Sequence, residues 1–328
     1  MSASDAKTHR NPPDPPAVKL KTHPYSDTIE VDVELVTPML GGGARQREHD
    51  RDCWLRPSTV KGHLRFWWRA LNAHRFDTPF ELRRRERQLF GGPGAFDPRT
   101  RKPIDGPGLL RIQVHPLQAT KAKVRLGQRQ VDCLAAKSRA TLAFRFPSRS
   151  NQDERNEIID AIRAWVVFGG VGGKTRRAFG AIRAINDLPG IPSDDTSLVN
   201  YIERTLRITS QTKHSAKRYC LSLASLHAAY LGPSVIDGKA AAQQLRQQYR
   251  EAWRSFSPSQ HPAALGGINP RHASPVLLCV AGTAGESPRY RPVVLVTRPH
   301  ASRHDPAFTL EQLTSHLAAN PNLKRVGS

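Results

Sequence analysis

The feature that most restricts the fold is the order of strand and helix patterns between residues 28 and 187. The segment TIEVDVELV (28–36) alternates apolar and acidic residues, a two-residue period that is typical of a half-buried strand. The patterns that follow are a helix in PSTVKGHLRFWWRALNAH, strands in GLLRIQVHP and RATLAFRF, a helix in NQDERNEIIDAIRAWVVFGG and a strand in AIRAIND. Strand, helix, strand, strand, helix, strand is the order of the split βαβ, or ferredoxin-like, unit. We therefore predict an α+β chain whose first domain is ferredoxin-like.

Two segments exceed a minimal version of this unit. A further helical run, PFELRRRERQLFGG, covers residues 79–92, and residues 116–138 separate the two middle strands where a tight turn would suffice. The longer segment contains one acid, Asp132, and the basic residues Lys121, Lys123, Arg125, Arg129 and Lys137. We predict that it forms a basic finger that projects from the sheet.

The second half of the chain has a less regular pattern. Helical periods cover residues 196–207, 216–231 and 239–256, and strand patterns in SPVLLCVAG and RPVVLVTRP precede a helix in FTLEQLTSHLAAN. The segment NDLPGIPSDD has the composition of a linker. We therefore predict a disordered Pro-rich leader at 1–26, a ferredoxin-like domain at 27–190 and a helix-rich α+β domain at 191–328. A degenerate ferredoxin-like fold is one interpretation of the last domain.

The charge of the chain indicates a polyanionic partner. Fifty Lys and Arg residues against 28 Asp and Glu give a net charge of +22, more than solubility requires. No apolar run approaches the roughly 18 to 20 residues that span a bilayer, and the first residues have no apolar signal region, so nucleic acid is favoured over a membrane. The four cysteines are far apart, which fits a reducing cytoplasm and argues against a zinc ribbon or a disulfide framework.

The glycine-rich segment FGGVGGKTRRAFG (168–180) contains the letters of a phosphate-binding P-loop. That motif needs a glycine five positions before Gly173, where Phe168 stands, and a helix after the loop, where a strand is predicted, so an ATPase is disfavoured. Two interpretations stay open. The segment is either a solvated helix-to-strand turn or a loop whose glycines let a ligand phosphate approach the backbone, and the number of glycines favours the second.

The segment VKGHLRFWWRAL (60–71) combines aromatic and basic residues on one predicted helix. At about 100° per residue, the apolar residues Val60, Leu64, Trp67 and Leu71 lie on one side of the helix. The cations Lys61, Arg65 and Arg69 lie on another side, and Trp68 lies at the boundary between the two. A solvated cationic face is the ordinary interpretation of such a pattern. A surface that binds an anion is favoured here because glycines and arginines precede the helix: Gly41, Gly42, Gly43, Arg45, Arg47, Arg51 and Arg56.

Catalytic patterns are sparse in the sequence. The segment QREHDRDC (46–53) groups His49 with two aspartates and a cysteine, but neighbouring loop residues seldom converge on one metal ion. Its one catalytic interpretation is His49 as an acid or base that acts on RNA. No metal site and no cofactor are expected.

Four motifs carry a resemblance to a known family. TPMLGGG, LRPSTVKGHLRFWWRAL, ERQLFGG and GGVGGKTRRAFG occur in one order, and together they resemble the RAMP superfamily of type III CRISPR effector proteins. They are most similar to the RAMP subunit that is counted first in the type III-B (Cmr) effector complex, in which a Trp-Trp-Arg helix and a glycine-rich loop recur. The segment INPRHASPVLLCV (268–280) is similar to the start of a strand in the second RAMP-like unit of that family. The Pro-rich leader and most of the second half depart from the pattern.

The resemblance implies an antiviral function in a ribonucleoprotein. Such a chain would have tandem ferredoxin-like folds, lie near the 3′ end of the CRISPR RNA, bind guide and target RNA and contact other RAMP subunits, while a different subunit cleaves the target. By motif match, its RNA-facing residues would be Gly41, Gly42, Gly43, Lys61, Arg65, Arg69, Gly170, Gly172, Gly173, Arg176 and Arg177. The cationic and aromatic surroundings add Arg45, Arg56, Trp68 and Lys174 to this candidate site.

Three hypotheses of function follow. The leading one is a non-catalytic RNA-binding subunit, in which cations neutralise phosphates and Trp54 or Trp68 stacks on unstacked bases. The second is a metal-independent endoribonuclease that processes precursor CRISPR RNA with His49 or His63. The third is a basic scaffold for duplex DNA, which would bind a duplex more tightly than single-stranded RNA.

Overall fold

A computed structural model describes residues 25–41, 54–92, 108–186, 188–210, 226–254, 267–268, 271–272, 274–297 and 306–326. Up to residue 24 the predicted leader lies outside this part of the chain, and a strand begins at Tyr25. The loop that contains Gly42, Gly43, Arg45 and the segment QREHDRDC lies outside it as well. The predictions made for those residues are therefore not tested by the structure.

The first half of the chain builds one four-stranded sheet, a small second sheet and three helices. Its elements are β1 (Tyr25–Leu35), β2 (Met39–Leu40), α1 (Pro57–Asn72), α2 (Pro79–Phe90), β3 (Arg111–Gln118), β4 (Lys121–Leu126), β5 (Arg129–Leu134), β6 (Arg139–Pro147), α3 (Gln152–Phe168) and β7 (Ile182–Ala184). The main sheet has the strand order β3-β6-β1-β7, and every neighbouring pair is antiparallel. Its strands and the helices α1 and α3 follow each other as β1, α1, β3, β6, α3, β7, which is the predicted split βαβ order.

The alternating pattern of β1 decides which face of the sheet is covered. Val31, Val33 and Leu35 are fully buried, and together with residues of α1 and α3 they belong to the main hydrophobic core. Helix α1 packs against α3 and also against α2, the helix that exceeds the minimal unit. Helices α2 and α3 each begin with a capping box, formed by Thr78 with Glu81 and by Asn151 with Glu154.

The predicted basic finger is a β-hairpin. Strands β4 and β5 are antiparallel, with Lys121 opposite Leu134 at one end and Leu126 opposite Arg129 at the other. Strand β5 also pairs with β2. The result is a three-stranded sheet in the order β2-β5-β4, separate from the main one. One side of the hairpin packs on a small apolar cluster that includes Leu40, Cys133 and Phe179, so the hairpin is anchored at the end of the glycine-rich segment.

The second half repeats the order of the first. After α4 (Asp195–Ser210) come β8 (Leu226–Leu231), α5 (Gly238–Arg254), β9 (Gly267–Ile268), β10 (Arg271–His272), β11 (Val276–Gly282), β12 (Tyr290–Thr297), α6 (Pro306–Ala318) and β13 (Lys324–Val326). Apart from the small β9–β10 pair, this is again strand, helix, strand, strand, helix, strand. The sheet order β11-β12-β8-β13 corresponds position by position to that of the first sheet. The mixed α+β class is confirmed, and the second half is built as the first is.

One secondary-structure prediction in this half is wrong. The sequence pattern favours a helix over 216–231, whereas residues 226–231 form β8. The strand lies in the middle of its sheet between β12 and β13, and its last four residues are buried. A short apolar run that is covered on both faces has no two-residue alternation, so periodicity alone does not separate it from a buried helix.

The two halves share backbone contacts. The backbone N–H of Leu278 in β11 donates to the carbonyl oxygen of Arg176 at 3.1 Å, and the N–H of Gly285 donates to Ile185 at 3.0 Å. The buried Arg183 forms an ion pair with Glu34 at 3.0 Å and also donates to the carbonyl of Gly285 at 2.9 Å. These contacts hold the glycine-rich segment against the second sheet. None of the helices in the described part of the chain is long and apolar enough to cross a bilayer.

Candidate nucleic-acid interface

The glycines of residues 169–173 permit close packing inside the protein. The N–H of Val171 donates to the carbonyl of Gly180 at 2.8 Å, and the N–H of Gly173 donates to Leu40 at 2.7 Å. A methyl group at Gly170 or Gly172 would lie 2.7 or 2.6 Å from a backbone carbonyl oxygen, closer than real Cβ atoms approach. The prediction that this loop offers its amides to a phosphate is therefore wrong for Val171 and Gly173, because these amides already bind carbonyl oxygens.

Two of the three cations of α1 face an acid. The Nε atom of Arg65 lies 2.7 Å from Oε1 of Glu86, and Nη1 of Arg69 lies 2.6 Å from the same oxygen. Arg65 also donates to the carbonyl of Gly91 at 2.8 Å. The carboxylate of Glu86 is buried on α2, so the two guanidinium groups serve to join α1 to α2. We therefore leave Arg65 and Arg69 out of the surface proposed below.

The predicted stacking of Trp68 on a base is wrong. Its ring is fully buried, with the rings of Phe76 and Phe90 at centroid distances of 5.8 and 6.3 Å. Its indole N–H donates to the carboxylate of Glu157 on α3 at 2.9 Å. Trp54 is buried too, at 3% exposure. Neither ring therefore offers a face to RNA, and Trp68 is covered by Phe90 of α2 and by Glu157 of α3.

Lys61 retains the properties of an anion-binding residue. It is half-buried, and no residue within the described ranges forms an ion pair with it. Burial lowers the pKa of its ammonium group, and the charge of Arg65 lowers it further. An anion would relieve both effects. Arg56 precedes α1 as its N-cap residue, and Gly41 directly follows β2 with a positive φ of 70°.

The cations of the glycine-rich segment reach toward the second half of the chain. Arg176 donates to the carbonyl of Ser274 at 2.5 Å, and its pKa is lowered first by burial and then by Arg177. Arg177 lies over the ring of Tyr249 at 4.0 Å and donates to its hydroxyl at 3.0 Å. Its Nη1 is buried and has no hydrogen-bond partner among the described residues. Lys174 is exposed in a left-handed conformation, with a φ of 59°.

Lys174, Arg177 and Tyr249 border a cleft of about 930 Å³ between the hairpin β4–β5, the glycine-rich segment and helix α5. We call this the basic cleft. Among the described residues its lining includes no acid and five cations, which are Arg125, Lys174, Arg177, Arg246 and Arg250. The volume is near the upper end of the range of about 300 to 1,000 Å³ that is usual for ligand sites. A cleft with one sign of charge concentrates ions of the opposite sign.

The electrostatics of the basic cleft favour an anionic ligand. Arg246 donates to the carbonyl of Ala178 at 3.2 Å and lies over the ring of Phe179 at 4.3 Å. Its pKa is lowered to about 10, first by burial and then by the charge of Arg250. A lowered guanidinium pKa means that its positive charge is poorly compensated by the protein. A phosphate in the cleft would supply the missing compensation.

Sequence reasoning missed the contribution of α5. Tyr249 and Arg250 follow Arg246 by three and four residues, and this spacing places all three on one face of a helix. Because the pattern of residues 239–256 predicts this helix, the spacing could have indicated a second basic surface. What the sequence does not give is the packing of α5 beside Lys174 and Arg177, which depends on contacts between the two halves.

His63 does not have the properties of a catalytic base. Its ring is stacked on that of Trp165 at 6.3 Å between centroids, and burial lowers its pKa to about 4. An imidazole with this pKa is neutral at pH 7 and accepts a proton weakly. His49, the other candidate of the nuclease hypothesis, lies outside the described residues. In the part of the chain that the structure describes, no group of three His, Cys, Asp or Glu residues is placed to hold a metal ion.

The comparisons with known proteins agree with this architecture. A model of the RAMP superfamily matches residues 32–183, which span the first sheet from β1 to β7. Over these residues the chain is similar to the RAMP superfamily. Cmr1 from Pyrococcus furiosus in its apo form has a similar structure over 92% of this chain and 100% of its own, with a TM-score of 0.57 at 15% identity. The fold shared with Cmr1 therefore extends beyond the residues that match the family model into the second half of the chain.

Two further solved structures match with lower TM-scores. A type III-B Cmr-beta complex bound to cognate target RNA contains a chain that matches 87% of this one, with a TM-score of 0.47 at 11% identity and 98% of that chain covered. Cas6 from Thermus thermophilus matches 48% of this chain and 53% of its own, with a TM-score of 0.29 at 16% identity. Neither score is high enough to support an argument about this chain. No curated protein sequence matches it.

Proposed function

We propose that this chain is a non-catalytic RNA-binding subunit of a type III-B CRISPR effector ribonucleoprotein. In this proposal it contacts other RAMP subunits and holds guide or target RNA near the 3′ end of the CRISPR RNA. The RAMP superfamily match and the fold shared with Cmr1 support the assignment to such a complex. The position at the 3′ end rests on the motif resemblance.

The observation that carries RNA binding is the basic cleft. Five cations from the hairpin, the glycine-rich segment and α5 line it, and no acidic residue does so in the part of the chain that the structure describes. Electrostatic contacts of this kind bind the phosphate backbone with little dependence on base sequence. Lys61 and Arg56 lie at the start of α1 and are candidates for a second region of contact.

The test is a charge reversal in the basic cleft. Lys174→Glu with Arg250→Glu replaces two exposed cations, and Arg83→Glu with Arg84→Glu makes the same charge change on the exposed face of α2. We expect the cleft variant to bind single-stranded RNA at least about tenfold more weakly, measured by fluorescence anisotropy. The slope of log affinity against log salt should decrease by about 1.4, since each phosphate contact with a single strand contributes about 0.7.

The α2 variant is the control for net charge. If it weakens RNA binding as much as the cleft variant does, binding depends on overall charge and the cleft is not its site. Circular dichroism and thermal unfolding of both variants establish that they fold. The same assay with duplex DNA tests the scaffold hypothesis, which requires the duplex to bind more tightly than the single strand.

Precursor processing is tested separately. Labelled repeat RNA is incubated with the protein in EDTA, and the non-catalytic proposal expects no discrete products. Cleavage that His49→Ala abolishes would overturn it. The lowered pKa of His63 argues against that residue as the alternative base.

A further inference from the structure

The basic cleft has an apolar floor as well as a cationic rim. Val124 and Leu126 of the hairpin, Phe179 and Leu278 line it. Phe179 and Leu278 are buried, whereas Val124 and Leu126 are half-buried and pack against the small apolar cluster beneath. A phosphodiester backbone alone gains nothing from such a floor. A ligand with a planar, weakly polar part next to its phosphates would bury that part against it.

Flat cationic surfaces flank this floor. The guanidinium group of Arg246 lies 4.3 Å from the ring centroid of Phe179, and that of Arg177 lies 4.0 Å from the ring centroid of Tyr249. Unstacked bases of single-stranded RNA stack on aromatic rings or on guanidinium planes. The structure thus combines a stacking surface with the charges that phosphates need.

Two glutamines add hydrogen-bonding groups that can read a base edge. Gln243 and Gln247 are exposed on α5, and both line the cleft. The amide nitrogen of Gln247 donates to Glu251 at 3.0 Å. Its carbonyl oxygen can still accept a hydrogen bond, and Gln243 offers both a donor and an acceptor. Arg177 also has a buried Nη1 group for which the described part of the chain supplies no hydrogen-bond partner, and an unsatisfied buried donor is costly.

We propose that the basic cleft holds a whole unstacked nucleotide of RNA, with its base against Val124, Leu126 and the guanidinium plane of Arg246, which lies over Phe179, and with its phosphates at the cationic rim. This deepens the function proposed above and rests on it. It adds a base contact to a surface that would otherwise bind the backbone alone. A modest preference among bases follows, because the glutamines distinguish base edges.

The experiment compares nucleoside monophosphates with ribose 5-phosphate, which has the phosphate and the sugar but no base. The full chain, labelled at its Val and Leu methyl groups, is titrated and followed by NMR. We expect each nucleotide to bind about tenfold more tightly than ribose 5-phosphate. The methyl signals of Val124 and Leu126 should shift with nucleotides and stay in place with ribose 5-phosphate, because only a base has a ring current.

Matched variants connect the signals to the cleft. Arg246→Gln removes a cation and a stacking plane, and we expect it to reduce nucleotide affinity about tenfold, while Arg84→Gln on α2 leaves it unchanged. Gln243→Ala keeps all charges, and we expect it to reduce the differences in affinity among the four nucleotides.

The outcomes separate this inference from the function on which it rests. Equal affinity for ribose 5-phosphate and nucleotides, or methyl signals that do not move, would overturn the base site. The cleft-dependent binding of longer RNA would then stand by itself. RNA binding that is unaffected by Lys174→Glu with Arg250→Glu would overturn both.

Discussion

Glu86 allows a test of whether the cations of α1 are structural or bind RNA. Its buried carboxylate accepts from Arg65 at 2.7 Å and from Arg69 at 2.6 Å, and the two side chains are 27% and 31% exposed. In Glu86→Ala both guanidinium groups lose their counter-charge. We expect the protein to lose stability and the affinity for RNA to remain the same.

The magnitude follows from the geometry. Removing one partner of a buried ion pair costs about 3 to 5 kcal/mol, and a hydrogen bond to a charged group contributes about 1.5 to 3 kcal/mol. Both guanidinium groups are partly exposed, so water replaces some of the lost interaction. We therefore expect a loss near the lower end, about 3 kcal/mol, measured by urea unfolding. Glu86→Gln retains an acceptor of the same size and should lose less.

The control is Glu286→Ala, which removes an exposed acid between β11 and β12. We expect it to change stability by less than about 0.5 kcal/mol. The structural assignment of Arg65 and Arg69 fails if Glu86→Ala unfolds at the same urea concentration as the control. It also fails if Glu86→Ala binds RNA more tightly while the control does not, since the released cations would then be reaching phosphates.

Two further predictions concern stability. Burial holds the pKa of His63 at about 4, below the ordinary 6.5, so on acidification the unfolded chain takes up this proton first. The free energy of unfolding, measured in urea, should therefore fall by on the order of 3 kcal/mol between pH 7 and pH 4. If His63→Phe shows the same pH dependence as the unchanged protein, this prediction is wrong. Gly180 and Gly127 have nearly equal φ angles, 63° and 64°, but a methyl group would clash with Val171 at Gly180 and meet nothing at Gly127. We expect Gly127→Ala to lower the free energy of unfolding by about 1 kcal/mol and Gly180→Ala to lower it by about 3 kcal/mol or more. Equal midpoints of thermal unfolding for the two variants would refute the packing argument.

Local patterns predicted the first domain well because its elements are amphipathic. The alternation in β1 and the helical period in α3 each reflect one buried face, and the order of the elements then restricts the topology. The strand β8 was missed for the opposite reason. It is covered on both faces, so the pattern that distinguishes a strand from a helix is absent.

The candidate site was harder to predict because charge has no periodicity that separates paired from unpaired cations. Arg65, Arg69 and Lys61 look alike in the sequence, yet Glu86 is 17 residues from Arg69 in the chain and 2.6 Å from it in space. Trp68 was placed at the edge of the α1 pattern because the position of α2 was unknown. The glycines of 169–173 were recognised as unusual, but whether a close neighbour is a ligand or another part of the chain is decided by tertiary structure.

The basic cleft forms only when both halves of the chain pack together, because each half supplies part of its cations. Arg125, Lys174 and Arg177 come from the first half, whereas Arg246 and Arg250 come from α5. Like charges at this density repel each other, and this repulsion opposes the packing of α5 beside the glycine-rich segment. The apolar contacts between the halves and the hydrogen bonds from Arg246 to the carbonyls of residues 177 and 178 offset it. A bound polyanion would turn the repulsion into attraction, so RNA binding and the association of the two halves should stabilise each other.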